Sequence, residues 1–255
     1  MSRIDRAQFA VLVLAGLVGV LAVLPYLFAL VPPTGEVSLA VIAVATVIQS
    51  GALVAVACLV GLYLGPKVGL GAPLLRARLH GHAIGEQRRE TLRLAVPLGI
   101  ATAVAIVGLD IAFGAVGVSI PADAVDQPAV WKRALASLYG GITEELLVRF
   151  GLMTLFVWLS TLVAGEDGPA DGAVWVAIFL TAIAFGAAHL GTLASMTDPT
   201  PLLMVRTVLL NAIGGVVFGW LYWRRGIESA MVAHFTADLT LHVVAAELLA
   251  VAGGV

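Results

Sequence analysis

The sequence predicts an all-α, polytopic transmembrane helical bundle of about seven spans, and three observations predict it. The first is the shortage of charge. Hydrophobic residues make up 60% of the chain and charged residues 12%, with a mean hydropathy of +1.04. A water-facing domain carries charge on about a quarter of its residues, so most of this surface must face lipid. The second is the recurrence of apolar runs near the roughly 20 residues that cross a hydrocarbon core. The third is that proline, glycine and arginine clusters separate these runs. Lipid-exposed backbone must satisfy its own hydrogen bonds, which makes the spans helices. A net charge of −2 offers nothing to a nucleic acid. The single cysteine, Cys58, lies in an apolar run and has no intrachain partner.

The spans follow in order along residues 1–255, read as a single integral membrane domain. The first runs from about Gln8 to Val31 after Arg3 and Arg6, and is too long for a secretory leader's apolar region. Pro32 and Pro33 end it. Val37 to Leu64 is the second, closed by Gly65-Pro66. Residues 67–93 read as a polar, solvated connector with Lys67, Arg76, Arg78, Arg88, Arg89 and Arg93 against Glu86 and Glu90. That excess places the connector and the N-terminus on the cytoplasmic side of a cell membrane. His80 and His82 in this loop read as solvated.

Leu94 to Val118 is the third span, followed by Pro121 and the acids Asp123 and Asp126. Trp131 to Val163, Ala173 to Leu193, Leu202 to Trp223 and Ser229 to Val251 complete the set. An acidic turn at 166–171 and the pair Arg224-Arg225 lie between them. Gly61/Gly65 and Gly215/Gly219 suit close helix packing.

Function is sought among ionisable groups inside the spans, because each costs roughly 2.5–3.5 kcal/mol to place at a helix centre. Asp110, Glu144, Glu145, Arg149, His189, His234, Asp238, His242 and Glu247 qualify, with Arg206 near a span end. Glu145 and Arg149 are i,i+4 neighbours and can pair. Glu144 lies about 100° around the axis and is not neutralised by that arginine, which suits it to general acid–base work. Phe185 stands one turn before His189 on the same face. His234, Asp238 and His242 are spaced to share a face, where a carboxylate can fix an imidazole's tautomer.

Taken together, Glu144-Glu145-Leu-Leu-Val-Arg149, Phe185-Gly-Ala-Ala-His189 and His234-Phe-Thr-Ala-Asp238 lie on three separate spans. In this order the pattern resembles the CPBP intramembrane protease family, which includes type II CAAX prenyl endopeptidases and bacteriocin-processing or immunity-associated proteins. Gly219-Trp-Leu-Tyr-Trp-Arg-Arg-Gly226 is similar to the family's glycine–aromatic–basic turn. The likeness covers a catalytic core over about 130–245 and leaves the first three spans without a signature.

The resemblance implies an endopeptidase acting on a membrane peptide or a prenylated, lipid-associated protein in the bilayer. Glu144 with His189 would activate a water. His234 and Asp238 would stabilise the oxyanion or complete a metal site, while Glu145, Arg149 and Phe185 would support them. Two routes stand side by side: a glutamate base without metal, or Zn²⁺ held by Glu144, His189 and His234, which would acidify a bound water. Many family members have asparagine at position 238. An ionised aspartate cannot donate to an oxyanion, so Asp238 tilts towards metal ligation or towards orienting His234.

On these span limits Glu144 and His189 lie towards the outer half and His234 towards the inner half. The family reading requires them to converge. Other peptidase classes lack their motifs here: there is no H-E-x-x-H, no G-x-S-G, and Gly108-Leu-Asp110 lacks the second glycine of G-x-G-D. The remaining alternatives are a catalytically silent scaffold or immunity-type relative, and a proton- or ion-coupled transporter using the same polar residues.

Overall fold

The computed structural model describes residues 4–30, 38–120, 128–165 and 168–248. The chain is a polytopic helical bundle with no strand among the described residues. Among the described residues, seven helices are long and apolar enough to cross a membrane. In chain order the elements are α1 (Arg6–Leu30), α2 (Leu39–Leu64), a short α3 (Pro73–Leu79) and α4 (Gly85–Ala115). They continue with α5 (Val130–Ala164), α6 (Asp171–Ala188), α7 (Leu190–Met196), α8 (Pro201–Arg225) and α9 (Ile227–Leu248). Pro32-Pro33, the segment with Pro121, Asp123 and Asp126, and part of the acidic turn lie outside the described residues.

The polar connector differs from expectation. It is not a plain loop: α3 forms inside it, and α4 begins at Gly85, well before the apolar run. The reason is local. Glu86-Gln-Arg-Arg-Glu90 consists of strong helix formers, so the helix extends through them once the apolar part of α4 is fixed. α3 itself is docked. Gln8 Nε2 donates to the Ala72 carbonyl at 3.1 Å, the Leu75 amide to Glu228 Oε1 at 2.8 Å, and the Ile227 amide to the Gly71 carbonyl at 3.0 Å.

The helix ends follow ordinary capping chemistry. Ser38 accepts from the Val41 amide at the start of α2. Thr200 accepts from the Leu203 amide at the start of α8, with Pro201 at the first helical position. Gly226 ends α8 with φ +90°. Side chains rarely adopt that conformation, and a Cβ there would also meet the Pro73 ring. α9 therefore starts at the next residue, and α8 and α9 run back to back.

Close packing is carried by the small residues. Gly215 lies against Ala182 and Gly219 against Ile178, seating α8 on α6, while Gly61 accommodates the Phe150 ring. Two ion pairs tie helices together away from the centre. Arg206 Nε bonds Asp110 at 2.7 Å, joining α8 to α4. Arg133 pairs with Glu247, joining the start of α5 to the end of α9.

Candidate active site

Three of the helices interrupt their regular winding where the polar residues lie. α5 widens to π-helical turns over Tyr139–Glu144 and again over Leu146–Met153, so Glu144 and Glu145 sit at the junction. α6 stops at His189 and resumes as α7. α9 widens over Thr240–Ala245, just beyond Asp238. Such widenings recur at functional sites because they redirect side chains within a continuous helix.

Gly140 lets α9 approach. A Cβ at that position would run into the Asp238 carboxylate and crowd His234, and one at Gly141 would meet Phe235. The two glycines bring the backbone of α5 against the polar face of α9.

The side chains then form a chain of contacts. Arg149 Nη1 lies 3.0 Å from Glu145 Oε1. The same oxygen accepts from His234 Nδ1 at 2.8 Å. Glu145 is 0% and Arg149 1% exposed. His234 therefore presents Nε2 to two other carboxylates, Asp238 at 3.5 Å and Glu144 at 3.8 Å. These three groups are placed to share a proton. Glu144 differs from its neighbour in being 21% exposed.

Aromatic rings hold this arrangement. Phe218 stacks on His234 with centroids 4.6 Å apart and planes 19° apart. Phe185 meets His189 edge to face at 4.8 Å and His234 at 5.7 Å. The Arg149 guanidinium lies 4.6 Å over Phe185, a cation–π contact that compensates part of the lost hydration. Phe185 thus stands between both imidazoles and the arginine.

His189 Nδ1 donates to the Phe185 carbonyl at 2.8 Å. A carbonyl only accepts, so this bond fixes the proton on Nδ1 and leaves Nε2 with its lone pair. His189 also interacts electrostatically with Glu144.

The structure therefore brings Glu144, Glu145, Arg149, Phe185, His189, His234 and Asp238 around one centre. The expected split in depth between Glu144 and His234 is corrected by their contact. Helix α5 begins at Val130, which puts Glu144 close to its middle, and the tight α8–α9 turn carries His234 to the same level. His242 does not join. It is exposed, because α9 widens from Thr240 and the i,i+4,i+8 register is lost after Asp238. Its carbonyl instead accepts from Arg133 at 2.8 Å. Asp110, Arg206 and Glu247 serve the peripheral ion pairs.

Phe218 and Gly140 escaped the sequence reading. An aromatic and a glycine in apolar helices carry no signal that separates them from ordinary packing. Both imidazoles have Nδ1 engaged and Nε2 left for chemistry, an arrangement that serves a metal ligand or a base alike. However, no group of three or more His, Cys, Asp or Glu side chains among the described residues is arranged to hold a metal ion. As they stand, the expected Glu144, His189 and His234 ligands do not form a cage.

Residues 126–240 match the family model of the type II CAAX prenyl endopeptidases, Rce1-like. Among curated proteins and among solved structures nothing matches the chain. The matched segment holds every side chain of the cluster, from Gly140 to Asp238. Over that segment the chain is similar to the type II CAAX prenyl endopeptidases, as the order of its three motifs implied.

Proposed function

We propose that this protein is an intramembrane endopeptidase that hydrolyses a peptide bond of a membrane-associated protein, with Glu144 as the base. The observation that carries this reading is the division between adjacent carboxylates. Glu145 is sealed between Arg149 and His234, whereas Glu144 is partly exposed, faces His234 Nε2 and interacts with His189. One acid positions the site and the other is free to act on water.

In the reaction, Glu144 takes a proton from a water held with His189 Nε2. The hydroxide adds to the substrate carbonyl carbon. His234, protonated on Nε2, donates to the oxyanion, and Asp238 orients and charges that ring. The C–N bond then breaks as Glu144 returns its proton to the leaving amine. Glu145 and Arg149 are positioning residues. No step is routed through a metal. Zn²⁺ bound by Glu144, His189 and His234 is the competing route, and it would supply an acidified water in place of the glutamate base.

The basic connector and Arg224-Arg225 lie at one end of the bundle, which the positive-inside rule assigns to the cytoplasm. Substrates of the family's type, prenylated or otherwise lipid-associated, would enter from the bilayer at that end. A transport reading draws on the interruption of α6 at His189, since transport sites use broken helices.

The test is cleavage of membrane peptides, with and without a prenylated C-terminal motif, by purified protein. Glu144→Gln is expected to lower turnover by about 10²–10⁴-fold, the usual share of a general base, with its melting temperature close to wild type. His189→Ala should act similarly. Activity surviving both substitutions sinks the peptidase reading. Loss on chelation, restored by Zn²⁺, transfers the mechanism to the metal route. Ion flux in proteoliposomes that disappears in the same variants would favour transport.

A further inference from the structure

A second, separate feature lies at the connector end of the bundle. The start of α1, the end of α2, α3, the start of α4 and the end of α8 surround a cavity of about 1070 Å³. Its accessible apolar lining is Leu62, Pro66 and Trp223, with Phe150 and Tyr222 sealed behind it. Its rim carries Arg76, Arg224 and Arg225. The acids that line it are already occupied. Asp5 accepts from the Ala7 and Gln8 amides and lies 3.8 Å from His80, and Glu90 takes Arg225 at 3.4 Å. Arg76 and Arg224 have no carboxylate partner among the described residues, and both are exposed.

The depth of the cavity is marked independently. Lys67 Nζ stands 4.0 Å over the Tyr63 ring and 5.8 Å from that of Trp158, and Arg224 stacks 3.9 Å over Trp223. Aromatic–basic pairs at span ends are typical of the lipid headgroup level. The cavity thus joins surplus guanidinium charge at headgroup height to an apolar flank formed by the span ends. A soluble anion would use only the first of these; an anionic amphiphile uses both.

We propose that this cavity binds an anionic phospholipid, its headgroup phosphate held by Arg76 and Arg224 and its glycerol and upper acyl carbons against Leu62, Pro66 and Trp223. Basic pockets between span ends are suited to such headgroups. The proposal does not depend on the peptidase reading, because lipid retention is measured without substrate.

The experiment uses the full chain in nanodiscs of phosphatidylcholine with added phosphatidylglycerol, read by native mass spectrometry of the released protein. Wild type should retain phosphatidylglycerol in preference to phosphatidylcholine. The R76Q/R224Q variant should lose about thirtyfold of that preference, the effect expected from two basic side chains near an anionic surface. R78Q, on the same connector but outside the cavity, should keep it. Should the double variant not fold, R76Q or R224Q alone should lose about fivefold. Unchanged preference in the folded variants overturns the proposal. Displacement of the lipid by millimolar inorganic phosphate would also overturn it, by making the site one for a soluble anion.

Discussion

Helices α2 and α5 cross the same membrane in different company. α2 buries only 6% of its most apolar stretch, whereas α5, α6 and α8 each bury 39%. α2 presents Val41, Val44, Ile48, Leu53 and Val56 outwards. α5 keeps Glu145, Arg149 and Phe150 away from every surface. The difference shows where ionisable chemistry can persist in such a chain. A carboxylate and a guanidinium survive at membrane depth only where neighbouring helices exclude lipid and supply partners. In this protein the partners come from α6, α8 and α9, while α1 and α2 close the other side of α5.

The comparison breaks most readily at Glu145. Replacing it with alanine leaves Arg149 buried without its carboxylate and removes the His234 Nδ1 acceptor. A loss of about 3–5 kcal/mol is expected, visible as a large fall in melting temperature in detergent. Arg149→Met in the same chain should recover much of it, because the uncompensated charge is gone. Peptide cleavage should stay low in the double variant, since His234 Nδ1 then lacks its Glu145 acceptor. A double variant that stays as unstable as Glu145→Ala would show that the ion pair is not what burial protects.

Moving outwards, Asp110→Asn tests a pair whose acid is 45% exposed. Its cost should fall below about 1 kcal/mol, as for ion pairs in wetter surroundings. A larger loss would place that end of α4 and α8 deeper among the helices than its exposure indicates. The smallest effect belongs to α2. Val44→Ala, at a side chain 59% exposed, should change stability by no more than about 0.5 kcal/mol. A greater change would reveal a protein partner on that face in place of lipid.

Much of this was readable from the residues. Apolar run lengths located the seven spans seen among the described residues, and i,i+4 spacing found the Glu145–Arg149 pair and the edge-to-face contact of Phe185 with His189. The contact is a property of the regular α6, and the pair persists although α5 widens across it. What could not be read has one physical origin. Spacing arguments assume a uniform number of residues per turn, and α5 and α9 widen where the site is built. That widening removed His242 from the face of Asp238. The packing of Phe218 on His234 depends on the α8–α9 turn, a tertiary feature with no local periodic signal. The connector failed for a different reason: its charges suggested solvation, while its side chains are good helix formers.

The Gly226 turn has a consequence for substrate. Phe218 and His234 each stand eight residues from it, one on the way in and one on the way out. At the rise of an α-helix that depth is about 12 Å. In the proposed peptidase the hairpin would act as a ruler, so that a bond is cut only if it is offered at that distance below the basic end. An intact transmembrane helix keeps its amides hydrogen-bonded at such a depth and would have to unwind first. A short extended tail held down by a lipid anchor, the substrate proposed for this site, would reach the mark with its backbone already open.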